Sequence, residues 1–137
     1  MGDRTTLCIE CLKSDREAVV KLFDDPEEEH PSTSGPAAEF LVFNQVNYGG
    51  RDDLARLATE GIAFSAHHED GDDYHGMTFA ACDGTFAETA SPRGQLMVGV
   101  DAKSLEPDAL DLENLRRWRV TEDRVRALFA AAKPSSA

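Results

Sequence analysis

Apolar and polar positions alternate from Thr5 to Leu12, which places Leu7, Ile9 and Cys11 on one side of an extended strand. Ala18, Val19, Leu22 and Phe23 then recur at helical spacing, with Ser14 or Asp15 available as a cap and Pro26 as a stop. A second strand is expected over Glu39 to Tyr48. Its run Phe40, Leu41, Val42, Phe43 is apolar on both faces, as in a central strand covered on both sides. Leu54, Leu57 and Ala58 mark a second helix opened by Asp52 or Asp53 and ended by Gly61. Strands are predicted over Ile62 to His68, His75 to Cys82 and Thr85 to Ala90, the last two joined by an Asp83-Gly84 turn of the type I′ kind. A sixth strand is expected over Gln95 to Asp101, with Leu96, Val98 and Val100 alternating. Sharing a face with Phe86 requires an odd residue or a bulge in the preceding turn, and that odd connection is predicted. After Pro107 the pattern is helical, in one segment through Leu110, Leu112, Leu115 and Trp118 and a second capped by Thr121 and carrying Val125, Leu128 and Phe129.

This order predicts a single α+β domain over residues 1–137, a largely antiparallel sheet of about five to six strands with helices mainly on one face. Two segments fall outside the regular pattern: a flexible acidic, Pro- and Ser-containing loop at 24–37 and a basic helical segment at 108–132. His30, between Glu29 and Pro31, is expected to face solvent. In the hairpin around residues 69–74, a short turn would set His68 opposite His75, Ala66 opposite Met77, Phe64 opposite Phe79 and Ile62 opposite Ala81, all on one face.

Charge changes the picture more than composition does. The chain carries a formal net charge of −12, distributed unevenly: residues 1–114 hold 24 acidic and 8 basic side chains, residues 115–137 hold 2 acidic and 6 basic. A field of this sign opposes direct binding to nucleic acid or an anionic membrane and favours cationic partners. No apolar run approaches the roughly 20 residues of a membrane helix, and the first residues lack a secretory pattern, so a cytoplasmic location with reduced thiols is expected. Arg116, Arg117, Arg119, Arg124 and Arg126 either neutralise the acidic body from within or form a basic contact patch.

Several constellations could carry chemistry, and each has a structural alternative. Cys8 and Cys11 have a two-residue spacing, yet on a strand they point to opposite faces, and no second pair completes a zinc site. Gly49-Gly50 could free backbone amides for an anion, or simply turn the chain from strand to helix. His68 and His75 could hold a divalent metal with help from Asp70 or Asp72, while His67 would face the other way. Asp70, Asp72 and Asp73 have the oxygen chemistry for calcium without the spacing of an EF-hand, and turns favour Asp and Gly in any case. Cys82 and Ser65 lack the surroundings of a nucleophile, and Glu88 is the carboxylate expected among apolar neighbours. No catalytic residue and no cofactor is assigned.

The expectation that follows is a small acidic protein-binding module, an inhibitor or regulator that occupies the basic, nucleic-acid-binding surface of a partner protein. Its contact residues would be Asp24, Asp25, Glu27, Glu28 and Glu29 in the loop and Asp70, Asp72 and Asp73 at the hairpin tip. Acidic proteins of phages and mobile elements that mimic DNA, or that inhibit nucleases and CRISPR complexes, offer an analogy of size and charge alone. A metal-binding domain or metal-dependent enzyme centred on His68 and His75 is the alternative. A housekeeping domain with generic acidity is the third.

Overall fold

A computed structural model describes residues 4–134. The elements are β1 (Arg4–Leu12), α1 (Arg16–Phe23), β2 (Glu28–Pro31), β3 (Ala38–Asn47), α2 (Arg51–Thr59), β4 (Phe64–His68), β5 (Met77–Cys82), β6 (Thr85–Ala90) and α3 (Ala109–Ala131). The strands form one sheet in the order β2-β3-β1-β4-β5-β6, with every neighbouring pair antiparallel. The protein is therefore an α+β fold.

Period-two alternation sorts the strands into two faces. Leu7, Ile9, Cys11, Leu41, Phe43, Phe64, Ala66, Phe79 and Ala81 point to the first, where Val19 of α1 and Leu54, Leu57 and Ala58 of α2 cover them. Phe43, Phe64 and Phe79 are fully buried there, each stabilising the fold by about 2–3 kcal/mol. The second face carries a smaller core, in which Ala80, Cys82 and Ala87 meet Trp118, Val125 and Phe129 of α3. Two of the three helices thus share one face, and α3 takes the other. Small side chains on β5 and β6 let that helix approach, and α3 lies across those strands and reaches β4.

A polar network ties α3 to the sheet. Arg126 donates to Glu10 at 2.8 Å and to Ser34 at 2.5 Å, and it lies 3.0 Å from Glu122 Oε1, close enough to pair but not aligned as a hydrogen bond. Ser65 donates to Glu122 at 2.9 Å, and Ser32 to Glu10 at 2.5 Å. Glu10, Ser65 and Glu122 are all buried. One half-exposed guanidinium therefore compensates two buried carboxylates. Burial still pushes the Glu122 carboxyl above its ordinary value, against the opposing pull of Ser65 and Arg126.

Four local expectations are corrected. Residues 95–101 do not form a strand: Met97 makes one backbone bond to Ala90, Val100 makes an isolated bridge to Pro107, and Leu96 lines a cavity beside Trp118, on the face opposite Phe86. The sixth strand is instead β2, inside the stretch expected to be a flexible loop. It pairs with β3, and the residues after it are held by the Ser32 and Ser34 bonds to Glu10. This makes β3 a next-to-edge strand, and its Phe40 remains half-buried on the second face. Finally, α3 is one continuous helix opened by Asp108, whose carboxylate accepts from the Asp111 amide; Thr121 caps nothing and bonds back to the Arg117 carbonyl.

Candidate functional site

The β4–β5 hairpin keeps the expected faces but slips by two residues. His68 pairs with Met77, Ala66 with Phe79 and Phe64 with Ala81, so His75 lies in the connecting loop. Asp70 explains the slip. Its carboxylate accepts from the Gly76 amide at 2.6 Å and from the Arg93 amide at 3.1 Å, and Gly71 bonds to the Tyr74 carbonyl, which closes a longer loop than a tight turn. The Gly76 and Arg93 amides hold the Asp70 carboxyl below its ordinary value. Asp70 is therefore an organiser of the loop.

Adjacent histidines border two cavities, His67 only the first and His68 both. His67 faces the α3 side and lines a space of about 700 Å³ with Thr78, Ser91, Arg93, Leu96 and Trp118. Thr78 donates to Ser91 at 2.7 Å, and the indole nitrogen of Trp118 is buried without a partner. Desolvation holds the His67 ring below its ordinary pKa.

His68 faces the α1–α2 side, where a smaller cavity of about 360 Å³ is lined by Tyr48, Arg51, His68, Tyr74, His75, Met77, Phe79 and Glu88. Its Nδ1 donates to the Glu69 carbonyl at 2.8 Å, which leaves Nε2 with a lone pair, and burial holds the ring neutral by lowering its pKa. The ring meets Tyr74 edge-on at 5.3 Å and Phe79 at 5.7 Å, and Tyr74 lies 6.0 Å from Tyr48. Arg51 crosses the mouth, bonded to both oxygens of Glu88 at 2.9 and 3.2 Å and packed over Phe86. The carboxylate expected among apolar neighbours is thus salt-bridged.

His68 and His75 do share this cavity, and His75 Nδ1 bonds to the Gly76 carbonyl at 3.1 Å. Among the described residues, however, no group of three or more His, Cys, Asp or Glu side chains is placed to hold a metal ion. Gly49 and Gly50 serve the turn. Both have positive φ, and a Cβ on Gly49 would fall 2.1 Å from the His68 ring. Asp52 and Asp53 in the first turn of α2 repel an anion there.

The acidic residues of the two sequence clusters reach the same end of the sheet. Strand β2 rises from that end after Asp24, Asp25 and Glu27, and the β4–β5 loop with Asp70, Asp72 and Asp73 leaves β4 at it. A single row runs across the second face from Glu28 through Val42, Cys8 and His67 to Thr78. Three strand spacings, about 14 Å, separate Glu28 from His67 and its neighbour Glu69. Burial pushes the Cys8 thiol up to about 11, with Glu69 and Glu28 adding to it, so both acidic edges are felt at the middle of the row. Asp24, Asp25, Glu27 and Asp72 are exposed, as are Glu28 and Glu29, which pair with His30 and Arg16. His30 itself is exposed.

Tyr48, Tyr74, Arg51 and Trp118 were not singled out from sequence as site residues. Tyr48 adjoins the Gly49-Gly50 pair, which drew attention to the backbone, and nothing in the local pattern marks Tyr74. Cys8 and Cys11 do face opposite ways, and burial raises Cys11 to about 12. On the remaining surface, Arg116, Arg117, Arg119 and Arg124 are exposed on α3, and Arg126 alone of the five reaches the buried network. No helix among the described residues is long and apolar enough to cross a membrane. No protein-family model, curated protein or solved structure matches the chain.

Proposed function

We propose that the protein is an acidic binding module that occupies a basic, nucleic-acid-binding surface of a partner protein. The observation that carries this reading is the convergence of two acidic segments, 40 or more residues apart in sequence, on one end of a six-stranded sheet. Carboxylates at Asp24, Asp25, Glu27 and Glu28 stand on one flank, with Glu69, Asp72 and Asp73 on the other. Strand pairing holds Glu28, the Glu27 amide bonds to the Val42 carbonyl, and Asp70 closes the loop that carries Asp72 and Asp73. Charges on backbone held in this way need little ordering on binding, and their field steers a cationic partner inward. The half-buried Phe40, 6.3 Å from His30 and 6.5 Å from His67, supplies apolar contact area between the flanks.

The test is affinity capture from the native host's cells, followed by competition. A retained protein should be released by duplex DNA or RNA and by raised salt. Its binding should fall about ten-fold or more when Asp24, Asp25, Glu27 and Asp72 are neutralised to Asn or Gln. Binding that survives neutralisation of both flanks and is indifferent to nucleic acid would remove the basis for this function.

A further inference from the structure

We propose that the cavity between the Tyr48 turn and the β4–β5 loop binds an alkylated ammonium group. Tyr48, Tyr74, His68, Phe79 and Met77 supply aromatic and apolar walls, and the paired Arg51 and Glu88 together with His75 complete the lining. Tyr48 and Tyr74 stand 6.0 Å apart and tilted by 43°, as two sides of a box whose floor is the buried His68 ring. Electron-rich ring faces attract a cation whose charge is spread over alkyl groups and whose hydration is weak.

The backbone favours this presentation. Tyr48 has φ 51, in the left-handed region where a bulky side chain is uncommon, and the residue remains 60% exposed. Gly49 then lets the turn press against the His68 ring, because any Cβ there would overlap it. An exposed aromatic held at an unfavourable φ, over a ring that the next residue must be glycine to reach, is a costly way to make a turn and an effective way to build a wall.

Electrostatics select a cation over an anion. Arg51 brings a fixed positive charge to the mouth, and it is engaged by both Glu88 oxygens, by Asp52 at 3.5 Å and by the Phe86 ring. Asp52 and Asp53 line the adjoining groove behind Tyr48, and Asp111 lines the space beyond His75 and Glu88. The chain as a whole carries −12. The cavity opens on the α1–α2 face, opposite the row that carries Glu28 and His67, so the inference stands independently of the proposed partner.

The same head group could come from a free quaternary amine or from a trimethylated lysine in a peptide. Titrations of the intact protein with choline, with a short trimethyl-lysine peptide and with 3,3-dimethylbutanol, the neutral isostere of choline, separate these cases. Tyrosine ring resonances report occupancy. Choline or the peptide should saturate the shifts at least about ten-fold more tightly than dimethylbutanol, and the tighter of the two identifies the source. Tyr48→Phe should keep binding and Tyr48→Leu should lose about ten-fold; the exposed position leaves the fold intact, which a thermal melt checks. Equal affinity for choline and dimethylbutanol, no saturable shift with either cation, or unchanged binding in Tyr48→Leu would overturn the proposal.

Discussion

Replacing Arg126 by Met should expose how the second face of the sheet is held. The guanidinium bridges Glu10 and Glu122, whose side chains are each only 10% exposed, and it also donates to Ser34 and Ser65. Without it, two buried carboxylates lose their counter-charge and repel one another. Breaking a buried pair by removing one partner costs about 3–5 kcal/mol. Arg126 is itself 40% exposed, so water already screens part of the interaction, and about 2–3 kcal/mol is the better expectation. With a urea slope of about 1.5 kcal/mol/M, the unfolding midpoint at neutral pH falls by about 1.3–2 M. Trp118, the sole tryptophan, lies one turn from Glu122 on α3 and reports the transition by its emission.

The loss should depend on pH in a set direction. Burial raises the folded-state value of Glu122 above the ordinary 4.5, so between those values the native state binds more protons than the unfolded chain. Stability from this group therefore declines as pH rises through the window and returns as pH falls. Removing Arg126 takes away one of the influences opposing the rise, which widens the window. The deficit of Arg126→Met should shrink between pH 7.5 and pH 5, and Glu122→Gln added to it should restore much of the loss at neutral pH. A deficit below about 0.5 kcal/mol, or one equal at the two pH values, would refute this account of the network.

Two further measurements test local claims. Gly49→Ala combines φ 70 with a Cβ 2.1 Å from the His68 ring and should cost about 3 kcal/mol or more, whereas Gly61→Ala has φ 83 with nothing within 4 Å and should cost about 1 kcal/mol; thermal melts that rank them equally would contradict the close-approach argument. With its thiol raised from 9.0 to about 11, Cys8 should react with an alkylating probe at pH 8 about 100-fold more slowly than in the unfolded chain, and comparable rates would show that it is not shielded as described.

Periodicity alone was enough for most of the fold. The apolar faces of β1, α1, α2 and β4–β6 lie where alternation or helical spacing puts them, because side-chain direction follows backbone period whatever the surroundings. Both glycine turns and the opposed directions of Cys8 and Cys11 follow for the same local reason. Pairing partners are a different matter. Residues 95–101 alternate as well as any strand, yet beside the free edge of β6 they make only the Met97–Ala90 backbone bond and then turn away to the Val100–Pro107 bridge. The stretch 28–31, acidic and proline-bounded, becomes a strand because β3 offers it an edge. The hairpin register turned on Asp70, whose carboxylate finds amides at Gly76 and Arg93, one of them beyond the hairpin altogether. Candidate sites divide the same way. Charge totals and the His67–His68 split between faces were legible, since each is a property of composition or of period two. The two-residue slip, the Tyr48–Tyr74 box and the meeting of two distant acidic segments at one sheet end were decided by tertiary structure. Each depends on which strands become neighbours, and strand order leaves no mark in any local stretch of sequence.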